Sequence, residues 1–285
     1  MNRVIGVLSI VIAIMVAVAL HRTPRHIATD EVTIVAGDHA FDAPDTIPAG
    51  LTMIRLQNHG SDLHHLALVR LDSGHTTQDF VAALAGNGPF PVWATYLGGP
   101  NAPIPGMEAT ATLDLAPGHY LIACLVRSPD SASHTMVSHA MRGMLHALIV
   151  SGDYRPSPLP RADVTMTLVD YGFKMSRPLV AGKQVIRIRN TATQAHELLL
   201  VRVTPGKSLS DLPAWTRTGD GPPPATLLGG VTPISRGVDT NITVDLPPGQ
   251  YGLICLLADI RDGQPHALHG MMREITVNRF LAFRG

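Results

Sequence analysis

Apolar positions along the chain fall in short runs rather than in helical stripes. Leu51 to Leu56 follows Pro48-Ala49-Gly50, and Leu63 to Leu71 runs into Asp72-Ser73-Gly74. Thr110 to Leu115 alternates apolar and polar residues, and Ala116-Pro117-Gly118 then turns into Tyr120 to Val126. Strand-length runs bounded by turn residues read as β-structure. One short helix is expected over Thr76 to Leu84, where Thr76 and Asp79 make a capping-box pair, and its counterpart begins at Ser208 and Asp211 with the same spacing. The expected class is all-β, with a helix placed in a connection.

The longest apolar run has another character. Val4 to Leu20, broken only by Gly6 and Ser9, follows Arg3 and contains Ala17-Val18-Ala19 near its end. A basic residue, an apolar stretch and a small-residue cleavage site describe an export signal. Left uncleaved, the run is at the short end of what spans a bilayer. Residues 1–27 are therefore expected to be a signal peptide or a membrane anchor, with residues 4–20 as the tether. The remainder is expected outside the cytoplasm, periplasmic or at the cell surface.

The same pattern of runs occurs twice. A shift of 132 residues lays Glu31 to Asp79 over Asp163 to Asp211 without a gap, matching Val32-Thr33, Asp38, Phe41, Ala49-Gly50, Ile54-Arg55, Asn58 and Leu68-Val69-Arg70. At 131 the match resumes, Ala94-Thr95 and Leu97-Gly98-Gly99 meeting Ala225-Thr226 and Leu228-Gly229-Gly230. At 127, His139 to Val150 lies over His266 to Val277. The chain is a duplication. Between the copies, Pro156, Pro158 and Pro160 alternate in a stiff extended linker. The expected division is residues 28–152, a linker over 153–162, and residues 163–285, each copy a Greek-key β-sandwich with its own core.

Composition narrows the function. Lys plus Arg and Asp plus Glu are 22 each, without a basic run, so nucleic acid is not an expected partner. Glycine (26) and proline (23) are abundant between the apolar runs, as a turn-rich β-chain requires.

Each copy carries one cysteine, seven residues after the proline of a Pro-Gly turn: Cys124 and Cys255. Equivalent positions in two sandwiches lie too far apart for a disulfide, so each is a buried hydrophobe or a ligand. Downstream come His139-Ala140-Met141-Arg142-Gly143-Met144 and His266-Ala267-Leu268-His269-Gly270-Met271. Upstream, His64 and His196 each sit six residues after the paired Asn58 and Asn190. Each copy thus keeps a thiolate, two imidazoles and a thioether at aligned places. His65, beside His64, leaves the first copy ambiguous, and the pairing with His196 favours His64.

These motifs resemble the cupredoxins, the blue-copper fold family, over nearly all of residues 31 to 278. The likeness includes the first-strand pattern ending at Gly50, a histidine before a β-run, Pro117-Gly118-His119-Tyr120 leading to Cys124, and the closing His139 to Met144. It implies two tandem cupredoxin-like sandwiches holding up to two copper ions. By position the ligands would be His64, Cys124, His139 and Met144 in the first copy, and His196, Cys255, His266 and Met271 in the second. Thiolate and thioether suit Cu(I) while imidazole also serves Cu(II), and a structural zinc site rarely includes Met. Two features depart from the family. Fourteen and ten residues separate each cysteine from its second histidine, where the family has few. His65 and Glu197 stand where the family commonly has Asn after the upstream histidine. A looser site is the expectation.

Ala123, Leu125, Ile254 and Leu256 flank the cysteines and no His-x-His occurs, so no second copper centre and no enzyme is expected. His39, His75, His119 and His134 are read as surface or loop residues. The leading expectation is one-electron transfer, with a redox protein as partner. The alternatives are copper storage, delivery or tolerance, with a copper donor or acceptor as partner, and a metal-free structural module.

Overall fold

The computed structural model describes residues 29–85, 90–101, 103–130, 135–218 and 220–279. The N-terminal signal or anchor and His134 lie outside them. Among the described residues no helix is long and apolar enough to cross a membrane.

The first copy runs β1 (Asp30–Ala36), β2 (Phe41–Asp42), β3 (Thr46–Pro48), β4 (Gly50–Asn58) and β5 (Ala67–Leu71), then α1 (Thr77–Ala85). It continues through β6 (Ala94–Gly98), β7 (Glu108–Leu115), β8 (Gly118–Ala123), β9 (Arg127–Pro129), β10 (Met136–Ser138) and β11 (Leu145–Ser151). The second has β12 (Val164–Val169), β13 (Gly172–Met175), β14 (Gly182–Asn190), β15 (His196–Val203) and α2 (Leu212–Thr218). It closes with β16 (Ala225–Ile234), β17 (Asp239–Leu246), β18 (Gly249–Ile254) and β19 (Met272–Val277). Both helices start where the capping pairs place them. Asp79 accepts from the Thr76 amide and hydroxyl, and Ser208 with Asp211 closes a capping box on the turn leading into α2. The strand expected from Leu63 begins only at Ala67, which leaves His64 and His65 on the loop before it.

Two large sheets face each other. One has the order β13-β12-β14-β17-β7-β4-β1-β2, the other β19-β18-β15-β16-β6-β5-β8-β11-β3. Each order reads from one copy into the other about its centre, so the duplication forms a near-two-fold pair joined edge to edge. Across the seam Asn241 pairs with Thr112, Ile242 with Ala111, and Ile234 with Leu97. The core private to each copy, expected from the repeat, gives way to a buried apolar cluster that includes side chains from Ile34 in the first copy to Val277 in the second. The physical reason lies in the strand edges. β6, β7, β16 and β17 would each present unpaired amides and carbonyls, and pairing across the seam satisfies them.

The repeated Leu-Gly-Gly motif serves this junction. Gly99 has φ +143° and Gly230 φ +135°, and a Cβ there would lie 2.2 Å from the Leu66 carbonyl oxygen or 1.9 Å from that of Leu198. Only glycine lets these strands approach so closely. Their backbones then bond across the seam, Thr232 N–H to Gly99 O and Asn101 N–H to Gly230 O. The proline linker is tacked down as well, with Tyr154 donating to Asp114, and Arg187 to the Leu159 and Pro160 carbonyls.

Residues 28–152 expressed alone would expose the edges of β6 and β7. The near-two-fold relation lets a second copy of the same fragment occupy the partner's place. Light scattering should therefore report a dimer of the fragment, and a monodisperse monomer would refute this use of the edges.

Candidate metal centres

Cys124 follows β8 directly, and Cys255 follows β18. His139 caps a short 3-10 turn over Ala140–Arg142, and His266 opens its counterpart over His266–His269. Both turns close on a left-handed glycine, Gly143 with φ 99° and Gly270 with φ 100°, which explains the Gly-Met spacing after each histidine. The upstream loops are clamped by the paired asparagines. Asn58 donates to the Asp62 and Pro103 carbonyls, and Asn190 to those of Gln194 and Ile234. The six-residue step from asparagine to histidine is the length of that clamp.

These elements bring His64, Cys124 and His139 together, and likewise His196, Cys255 and His266, all of them buried. In the first copy Cys124 Sγ lies 3.8 Å from His64 Nδ1 and 3.5 Å from His139 Nδ1, and the two nitrogens are 3.1 Å apart. In the second the distances are 3.9, 3.3 and 2.9 Å. The centre of either triangle is about 2 Å from all three atoms, the length of a bond from imidazole or thiolate to a first-row metal ion. Two imidazoles and a thiolate in a plane are the donors of a blue-copper site. Met144 and Met271 are fully buried beside them. The Met144 amide donates to the His139 carbonyl and its carbonyl accepts from the Cys124 amide, an arrangement repeated at Met271. The His65 ring turns away to Asn101 and the Leu125 amide, while His64 faces the sulfur.

Behind each histidine stands a carboxylate. Nε2 of His64, His139, His196 and His266 lies 3.8, 3.5, 3.0 and 3.8 Å from Asp38, Asp62, Asp170 and Asp259. His139 Nε2 also meets Ser128 Oγ at 3.0 Å, whereas Nε2 of His64 and of His266 has no hydrogen-bond partner among the described residues. Negative charge at Nε2 favours the proton there and leaves a lone pair on Nδ1, aimed at the centre. In the second copy a two-residue turn between β12 and β13 places Tyr171 at φ 54°. Its ring lies 5.6 Å from that of His266, and its hydroxyl donates to Asp259. Asp259 is held well below the usual carboxylate range by Arg261 and Tyr171. Of these partners, Asp38 and Asp170 align in the repeat and were legible as a pair. Asp62 and Asp259 have no aligned partner and carried no signal.

Burial decides the protonation of the triangle side chains. It lowers the pKa of His64, His139 and His196, and brings His266 to about 4 with the neighbouring His196 adding to the effect. It raises Cys124 to about 11, and Cys255 further still, with the Glu197 charge adding to burial. Each sulfur accepts backbone N–H groups, from His65 at 3.5 Å and Val126 at Cys124, and from Glu197 at 3.4 Å and Leu257 at Cys255.

The long segments between cysteine and histidine are closed at their base. In the first copy β9 and β10 pair as a ribbon, His139 N–H bonds Val126 O, and Ala140 N–H bonds Cys124 O. In the second, His266 N–H bonds Leu257 O and Ala267 N–H bonds Cys255 O. These backbone bonds pin both ends of each segment beside its cysteine and histidine despite the length between them. His39 and His119 are exposed as expected, and His75 stacks on Trp93 at 4.2 Å.

No protein-family model and no curated protein matches the chain. Solved structures do. Auracyanin A, a blue copper protein from Chloroflexus aurantiacus, is 18% identical over 44% of this chain and 100% of its own, with TM-score 0.30. A multicopper oxidase is 16% identical over 87% of this chain and 88% of its own, with TM-score 0.25. The copper nitrite reductase of Nitrosomonas europaea is 15% identical over 90% and 98%, with TM-score 0.25. The expectation that the chain is no enzyme is withdrawn, because oxidases and nitrite reductases are among these structures. That expectation rested on histidines adjacent in sequence, whereas the ligands of a reactive centre need not be adjacent or come from one chain. The described residues hold a third group, Asp259, Asp262 and His269, with donor atoms within 4.8 Å of one another, which sequence reasoning missed.

Metal uptake should release protons. At pH 7 the thiols are protonated and the imidazoles neutral, so filling the triangles should free about one proton per site. Apparent affinity should then fall about tenfold for each unit the pH drops below 7, until the histidines compete as well. Calorimetry of copper binding in buffers of different ionisation enthalpy measures this, and a pH-independent affinity would refute it. The chain is thus a pair of β-sandwiches joined at a seam, each closing a His–Cys–His triangle of metal-bond dimensions.

Proposed function

We propose that the chain is an extracytoplasmic copper protein that passes single electrons through two mononuclear sites. The observation that carries this is the pair of buried triangles, each with its centre at bonding distance from two imidazole nitrogens and a cysteine sulfur. The ligands would be His64, Cys124 and His139, with Met144 as axial thioether, and His196, Cys255 and His266 with Met271. Copper would supply a one-electron couple within a donor set acceptable to both oxidation states. The chain's own residues keep that set fixed. The carboxylates orient the rings, the amides of His65 and Glu197 hold the sulfurs, and the pinned loops prevent the ligands from following a change of charge. The absence of slack supports electron transfer over storage or delivery, in which a site must open to pass its metal on. Export is supported by the apolar segment after Arg3. Partners would be redox proteins able to approach either site.

Copper-loaded protein should show a sulfur-to-copper band in the visible. Cys124→Ser should remove one site's share of it and Cys255→Ser the other's; copper analysis showing no uptake would overturn the reading. In cyclic voltammetry, Met144→Leu and Met271→Leu should each move the potential of their own site while copper stays bound. Loss of copper on each cycle would indicate a store or delivery protein instead.

A further inference from the structure

The seam between the copies contains an unbroken line of buried hydrogen bonds from one cysteine to the other. In the first copy the His65 amide donates to Cys124 Sγ, and its Nε2 accepts from the Leu125 amide at 2.8 Å. An accepting Nε2 puts the ring proton on Nδ1, which faces Asn101 Oδ1 at 3.2 Å. Asn101 Nδ2 in turn reaches Glu197 Oε2 of the second copy at 3.4 Å, and the Leu198 and Val231 carbonyls at 3.2 and 3.1 Å. Glu197 Oε1 accepts from the Leu256 amide at 3.0 Å, and the Glu197 amide donates to Cys255 Sγ. Donors and acceptors alternate consistently through one tautomer. Asn101 is fully buried, with His65 and Glu197 nearly so.

Neither copy needs this line for its own triangle. His65 and Glu197 each hold the amide after their cysteine, a task that a shorter side chain could perform. Their extra reach is used only to meet Asn101. The residue aligned with Asn101 is Thr232, which serves the opposite side of the seam by donating to the Leu66 and Gly99 carbonyls at 3.1 and 3.4 Å. Carbonyl satisfaction at the seam therefore does not require asparagine. What asparagine adds is a second polar arm, and that arm joins the two sites.

We infer that His65, Asn101 and Glu197 form an internal bridge through which the two copper sites exchange electrons within one chain. The inference rests on the copper reading above. The exchange is balanced in itself: Cu(I) at one site becomes Cu(II) as Cu(II) at the other becomes Cu(I), and no proton or ligand is transferred. The three residues are positioning residues, since none meets the metal.

The test uses full-length copper protein and Asn101→Thr. Threonine matches its counterpart at the seam and keeps a donor for the Leu198 carbonyl, but one hydroxyl cannot join His65 to Glu197. Oxidised protein is reduced with less than one electron per chain by a light pulse and an external flavin. Each site's contribution is read from the spectra of Cys124→Ser and Cys255→Ser chains. The unaltered chain should show redistribution between sites at a rate independent of protein concentration. Asn101→Thr should slow that phase by about an order of magnitude while both potentials and the copper content stay unchanged. Should the threonine chain fail to fold, His65→Asn offers a second cut, retaining a short acceptor for Leu125 but losing the reach to Asn101. An unchanged rate in a folded, fully loaded variant overturns the bridge alone. Absence of reversible copper reduction in the unaltered chain overturns the copper reading and the bridge with it.

Discussion

Two imidazole nitrogens about 3 Å apart, each facing the other and a buried sulfur, form an arrangement suited to a cation at its centre. Without one, the sulfur keeps its proton because burial penalises the thiolate. A cation at the centre reverses that penalty, since burial then strengthens its attraction to the thiolate. The surroundings are consistent with such a charge. Four carboxylates stand behind the four histidines, and Asp259 stays ionised in the interior because Arg261 and Tyr171 hold it. Much of the rest follows from keeping these atoms together, from the asparagine clamps upstream to the glycine-closed turns downstream.

The long cysteine-to-histidine segments show how length and rigidity separate. Closing a longer loop costs entropy, but only slowly with length, and only if the whole loop is free. Here the first segment pairs with itself as β9 and β10, and backbone bonds from Val126 to His139 and from Cys124 to Ala140 shut its base. From the viewpoint of the metal centre, the effective loop is the few residues inside that pinch.

Much of the fold and most of the candidate site were legible because a duplication reads itself twice. Turn residues bounded the strands, capping pairs placed both helices, and aligned His, Cys and Met separated the triangles from the other histidines. The seam was harder to read. Leu-Gly-Gly aligned clearly, but its reason is a close approach between Gly99 and Leu66 and between Gly230 and Leu198, set by strands distant in sequence. Asn101 aligned with Thr232, and a mismatch in a repeat carries no signal until both residues are seen to hold carbonyls of the opposing copy. The carboxylates Asp62 and Asp259 were hidden for a similar reason: Asp62 aligns with Gln194, and Asp259 reaches the equivalent ring from the segment between cysteine and histidine, whose length differs between the copies.

The near-two-fold arrangement makes the two triangles alike in shape and unlike in electrostatics. Beside Cys124 the next side chain is His65, which burial keeps neutral with a pKa lowered to about 4. Beside Cys255 it is Glu197, raised by burial to about 7. A neutral ring leaves the first site's charge unchanged, whereas a carboxylate, when ionised, opposes the thiolate and favours the more highly charged metal. Duplication supplied two equal frames, and divergence at a single position beside each sulfur made their surroundings electrostatically unlike.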